Sequence, residues 1–114
     1  MSKVVTPLEW NIQQNSESVM IRLFGDLTRD TLLPLWQQRA SFLSPKPNQH
    51  IYWNLESLNQ IDSAGFTLLA EMLNHYQKQN TNGIMNAPNS IKKLAELFDL
   101  DEWLRPFLYC EKLK

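Results

Sequence analysis

The stretch Ile61-Asp62-Ser63-Ala64-Gly65 sets a carboxylate, a hydroxyl and two of the smallest residues in succession. The apolar periodicity that follows marks the start of a helix, whose first N–H groups have no partner inside the helix. A carboxylate, a hydroxyl and those N–H groups can together hydrogen-bond an incoming polypeptide. Ala64 and Gly65 carry so little side chain that a second backbone can come close. The same residues also have an architectural use. Asp62 or Ser63 can cap the helix, worth about 1 kcal/mol, and Gly65 can let it pack tightly. Residue chemistry alone leaves both uses open.

Catalytic readings of the chain are poorly supplied. Ser63 sits at a strand-to-helix turn, but a hydrolase elbow needs Gly-x-Ser-x-Gly, and position 61 is Ile61. His50 lies at a loop-to-strand junction and His75 on a helix, with no His-Glu-x-x-His spacing for a metal. Gly25, Gly65 and Gly83 are isolated and cannot form a phosphate loop. Cys110 is the single cysteine, so no internal disulfide forms, and within Phe107-Leu108-Tyr109-Cys110 it reads as a small buried apolar residue. A non-catalytic protein without cofactor or metal is expected.

Composition narrows the partners. The net charge is -1 and the basic residues are scattered, which argues against nucleic acid and anionic lipid. No segment approaches the ~18 consecutive apolar residues of a membrane span, so no direct membrane insertion is expected. Met1 to Pro7 holds no apolar run of signal-peptide length, which predicts a cytoplasmic location. With 114 residues, 43% of them hydrophobic, the chain suits one domain over 1–114. Its core is expected over about residues 6–104, with 105–114 as a C-terminal extension.

The elements that must position the motif follow from periodicity. Leu8-Glu9-Trp10-Asn11-Ile12 alternates like a half-buried strand, Asn15-Ser16-Glu17-Ser18 breaks it, and Val19 to Phe24 forms a second strand that Gly25 ends. Leu32, Leu35, Trp36, Ala40 and Leu43 recur at three and four. They predict a helix over about residues 30–43, capped by Thr28 or Asp30, with Pro34 tolerated in its first turn. His50 to Leu55 is rich in β-formers and reads as a central strand covered on both faces.

The second helix runs from Asp62 to about Gln79. Its stripe is Phe66, Leu69, Met72, Leu73 and Tyr76, opposite Thr67, Glu71, Asn74 and Lys78. Asn80-Thr81-Asn82-Gly83 stops it before a short strand, Ile84-Met85-Asn86. Pro88-Asn89-Ser90 introduces a third helix with Ile91, Leu94, Ala95 and Phe98 inward. The tail from Asp101 reads as a helical turn, then, around Pro106, a packed extended piece. The order predicts an α/β fold: a mixed sheet with helices mainly on one face, and the N-terminal strand and tail over the other.

Gly25-Asp26-Leu27 before a helix, and Ile61-Asp62-Ser63-Ala64-Gly65 opening the next, resemble the two signature stretches of STAS domains, the fold of the bacterial anti-sigma factor antagonists. Within them, Asp30-Thr31-Leu32-Leu33-Pro34-Leu35-Trp36 is similar to the first helix of the MlaB-type subunit. That subunit belongs to the phospholipid ABC transporter maintaining outer-membrane lipid asymmetry. The resemblance implies a regulatory or assembly subunit that binds the transporter's ATPase subunit, within a complex with a membrane permease. It implies a contact surface of Asp26, Thr28, Leu33, Asp62, Ser63, Ala64, Gly65 and Thr67. In the antagonists the hydroxyl after the aspartate is phosphorylated by a partner kinase, which here designates Ser63. Antagonists usually carry Gly-acid-Leu-Asp and an Asp at the central strand's exit; Thr28 and Asn54 replace them and thin the acidic surroundings.

Overall fold

The computed structural model describes residues 5–108. Along β2 (Ser18–Leu27) Val19, Ile21 and Leu23 are buried while Met20, Arg22 and Phe24 are half-exposed, so the alternation selects one face for the core. β1 (Glu9–Gln14) pairs with it antiparallel, Trp10 opposite Leu23 and Gln14 opposite Val19. Asn15 makes the connecting turn, its Oδ1 accepting from the N–H groups of Glu17 and Ser18, both at 2.8 Å. The hairpin is as expected.

Gly25 does not end the strand. Its φ of 83° bends β2, the register shifts between Gly25 and Asp26, and the strand continues to Leu27. The bend lets one strand serve two neighbours. Ser18 to Arg22 pairs in parallel with β3 (His50–Asn54), and Gly25 to Leu27 pairs with β4 (Leu58–Ile61). β4 is absent from the sequence reading, because Leu-Asn-Gln-Ile is too short and polar to stand out.

β3 lies between β2 and β5 (Thr81–Met85), parallel to both, so its central place is as expected. Its cover is one-sided. Ile51 and Trp53 are fully buried, whereas Tyr52 is half-exposed and His50 exposed on the opposite face. The aromatic content of the segment hid this alternation. Trp53 anchors the covered side, stacked against Phe42 at 6.2 Å with its indole N–H donating to Asn82 Oδ1 at 2.9 Å.

The covering helices are α1 (Leu33–Gln37), α2 (Ser63–Tyr76), α3 (Asn89–Leu97) and α4 (Asp101–Leu104). α2 buries the whole predicted stripe, Phe66, Leu69, Met72, Leu73 and Tyr76, and ends at Tyr76 rather than Gln79. α3 buries Ile91 and Ala95. Phe98, expected inward, is 43% exposed and stacks one face on Phe66 at 5.9 Å.

α1 is far shorter than the predicted 30–43 helix, and neither Thr28 nor Asp30 caps it; Leu32 stands at its N-cap without a side-chain bond. Thr31 Oγ1 accepts from the Thr28 N–H at 3.0 Å and donates to the Asp26 carbonyl at 2.7 Å, holding residues 28–31 in a turn. Beyond Gln37 the bonds step back three residues, from Arg39 N–H to Trp36 and from Ser41 N–H to Gln38. Tyr76 Oη then donates to the Arg39 carbonyl and accepts from the Leu43 N–H, drawing both groups away from a helical ladder.

The N-terminal strand and the tail form the borders of the sheet instead of covering its open face. β1 is an edge strand, and after a 3₁₀ turn at Arg105–Phe107 Leu108 bridges in parallel to Ile84 beside β5. Backbone hydrogen bonding places them in the plane of the sheet. The short helical turn and packed segment expected there are present as far as Leu108. The reading of Cys110 lies outside the described residues.

Candidate docking site

α2 begins directly after β4, so the sheet itself aims its first turn. Asp62 is the N-cap, in extended conformation, and its two carboxylate oxygens do different work. Oδ1 accepts from the Gly65 N–H at 2.9 Å, the helix-capping bond. Oδ2 accepts from the Arg29 N–H at 3.1 Å and ties the loop after β2 to the helix start. Asp62, not Ser63, is therefore the cap. Ser63 opens the helix with its side chain exposed, and Thr67 one turn on donates to the Ser63 carbonyl at 2.9 Å.

The eight candidate residues separate by burial. Ser63, Thr67 and Leu33 are exposed, Leu33 by 57%, and Asp62 and Ala64 are partly so. Gly65 is buried, which corrects its place in a contact surface: a Cβ there would stand 1.9 Å from the Leu27 carbonyl oxygen. Its missing side chain serves the close approach of α2 to β2.

Asp26 is also withdrawn from the surface, 1% exposed, because β2 runs on through it. Its Oδ2 accepts from the Thr6 N–H at 3.1 Å and from Gln60 Nε2 at 2.9 Å, joining the N-terminal segment and β4 to the strand end. Thr28 is 7% exposed and its Oγ1 accepts from the Asp30 N–H at 3.3 Å, shaping the loop. Asp26 and Thr28 thus build the scaffold under the exposed candidates. Asn54, buried at the exit of β3, accepts from the Glu56 N–H and from Asn86 Nδ2, so it holds two turns.

Two features escaped the sequence reading. Arg29, whose backbone N–H meets the Asp62 carboxylate, is exposed, and only its position after Thr28 hinted at this. Trp36, half-buried, carries the Arg39 guanidinium 3.8 Å above its ring, and Arg39 faces Glu71 at 3.9 Å. The arrangement offers hydrogen-bond donors, a hydroxyl and modest apolar area, which suits recognition of another protein.

Known structures define the class first. The unphosphorylated anti-sigma factor antagonist SpoIIAA superposes with a TM-score of 0.62 at 22% identity, covering 92% of this chain and 91% of that one. An anti-sigma factor antagonist from Mycobacterium paratuberculosis gives 0.70 at 17% identity, over 90% of this chain and 85% of its own. The fold is that of SpoIIAA-like STAS domains. A family model described as Mlab, STAS domain matches residues 10–108, and the chain belongs to that family. The intermembrane phospholipid transport system binding protein MlaB of Haemophilus influenzae is 42% identical over 104 residues, covering 89% of this chain and 99% of that protein.

Proposed function

We propose that this chain is the binding subunit of a bacterial intermembrane phospholipid transport system and docks on the transporter's cytoplasmic ATPase subunit. It forms one domain, contributes no chemistry of its own, and sits at the inner membrane only through its partners. The observation that carries the reading is the exposed Ser63 hydroxyl on the first turn of α2, held in place by a cap that leaves the serine side chain outward. Family membership and the similarity to MlaB of Haemophilus influenzae support it.

The contact surface in this reading is Asp62, Ser63, Ala64, Thr67 and Leu33, supported from below by Asp26, Thr28 and Gly65. Docking there can hold the ATPase in one arrangement and so set its turnover. A tagged copy expressed in its native cell should recover an ABC ATPase and its membrane permease, and Ser63→Glu should abolish that recovery.

A second reading draws on the same exposed hydroxyl: an anti-sigma factor antagonist switched by phosphorylation at Ser63. Thr28 and Asn54 stand where acids would assist a kinase, and both are buried and occupied in turn-forming bonds. Recovery of a histidine-kinase-like ATPase in place of the ABC ATPase would establish this second reading.

A further inference from the structure

β1 has a strand neighbour on one side only. Its register with β2 is unbroken from Glu9 to Gln14, and among the described residues no strand pairs with its other edge. The opposite border of the sheet is screened at Ile84 by Leu108. Exposed edges are commonly guarded by lysine, proline or a bulge. Glu9-Trp10-Asn11-Ile12-Gln13-Gln14 holds none of these, and its single charge, Glu9, stands at one end.

The turn after β1 reveals which backbone groups are open. The Asn15 N–H donates to the Ser18 carbonyl at 3.0 Å, so Asn15 directs its backbone groups at the neighbouring strand. That direction alternates along an antiparallel ladder. Asn11 and Gln13 therefore also face β2, and Trp10, Ile12 and Gln14 turn their N–H and carbonyl groups to the free edge. Ile12 stands opposite the fully buried Ile21, on the helix-covered face. The cover reaches Trp10, which meets Phe42 edge-on at 5.5 Å, yet it leaves Ile12 38% exposed.

A bare strand edge is completed by an extended segment, and this strand matches its own reverse. A two-fold axis normal to the sheet at Ile12 sets Ile12 against Ile12 of a second copy, and Trp10 against Gln14 of that copy. Every outward group of β1 then has a partner. An axis at Asn11 would instead place Gln14 opposite Leu8, outside the strand. With the axis at Ile12, Asn11 meets Gln13 of the copy on the open face, amide to amide. Glu9 falls opposite Asn15, so no like charges meet.

We infer that β1 is a self-association edge, on which two copies of this chain join antiparallel about Ile12 and extend one sheet into the other. The contact uses none of the residues proposed to meet the ATPase. A single strand pair lies at the low end of interface size, below about 1,200 Å², so the dimer is weak and its population rises with concentration.

Sedimentation velocity of the full chain across a dilution series should show a monomer–dimer equilibrium. Ile12→Lys sets like charges face to face, and Ile12→Pro removes an outward N–H that β2 does not use; each should weaken dimerisation about tenfold or more. Melting midpoints at monomer concentrations should show both variants folded. Should they fold poorly, amide exchange in the wild-type protein decides. The Ile12 and Gln14 N–H groups should exchange slowly when concentrated and fast when dilute, while those of Asn11 and Gln13 stay protected at both. A wild-type monomer at every concentration, a dimer indifferent to both folded variants, or exchange at Ile12 and Gln14 that ignores concentration overturns the proposal. A monomeric wild type whose ATPase binding is lost in Ile12→Lys would assign the edge to the ATPase and overturn it too.

Discussion

Gly65 and the Leu27 carbonyl meet so closely that a methyl group on Gly65 would lie 1.9 Å from the carbonyl oxygen. This contact joins the first turn of α2 to the end of β2 and sets the height of the helix over the sheet. Helix propensity alone favours alanine over glycine by about 1 kcal/mol. The contact reverses that sign, because the obstacle is backbone and cannot rotate away. Gly65→Ala should destabilise the protein by roughly 1–3 kcal/mol, measured by urea unfolding. A more stable variant would show that α2 can lift off β2 freely.

Asp62 should prove mainly architectural. Asp62→Ala removes the acceptor for the Gly65 N–H and for the Arg29 N–H together. The cap accounts for about 0.5–2 kcal/mol, and release of the loop adds to it. Asp62→Asn keeps an acceptor oxygen at the cap and should recover most of the stability. Chemical denaturation of the pair distinguishes capping from charge.

Ser63→Glu should separate binding from folding. The side chain is exposed and the helix start tolerates an acid, so stability should move by no more than about 0.5 kcal/mol. Bound to a partner, the same charge would be dehydrated without a counter-ion, at a cost of several kcal/mol. ATPase binding by calorimetry should fall severely while the thermal midpoint holds. A large drop in midpoint would instead assign Ser63 a structural role.

Tyr76 fastens the irregular chain after α1 to the core. Its hydroxyl accepts from the Leu43 N–H at 2.9 Å and donates to the Arg39 carbonyl at 3.1 Å. Tyr76→Phe strands a buried N–H and should cost about 1–3 kcal/mol. Burial raises the phenol above its ordinary 10.0, outweighing the opposing pull of backbone hydrogen bonds from Leu43 and Phe42. The folded state therefore prefers the protonated form. That contribution is complete below 10.0 and is lost as pH rises from there through the folded value. Wild-type protein should lose stability in that alkaline window more steeply than Tyr76→Phe, read from denaturation midpoints across the range.

Leu69 is 2% exposed in the middle of the α2 stripe. Leu69→Ala should cost roughly 2–5 kcal/mol through the cavity it leaves. ATPase affinity per folded molecule should stay unchanged, which equilibrium unfolding and calorimetry together can verify.

Where apolar residues repeat over three or more turns or alternate along a strand, the sequence was readable. The α2 stripe and the β1–β2 hairpin follow from such patterns. It misled where a long-range hydrogen bond outbids a local preference. The run from Leu32 to Leu43 has helical spacing, yet Tyr76 claims the Leu43 N–H and the Arg39 carbonyl, which a longer helix would pair with each other. β4 is too short to announce itself, and it exists because β2 bends at Gly25 and leaves hydrogen-bonding groups for it.

Local chemistry determined that Asp62 and Ser63 stand at a helix start and that one of them caps it, because capping involves only residues three apart. It also determined the core faces, which need nothing beyond periodicity. Which of the candidate residues reach solvent was decided by packing between distant segments. Leu27 takes the space at Gly65, Thr6 and Gln60 enclose Asp26, and of the candidates only Ser63, Thr67 and Leu33 are left exposed. Burial depends on what the rest of the chain brings alongside, and no window of sequence contains that information.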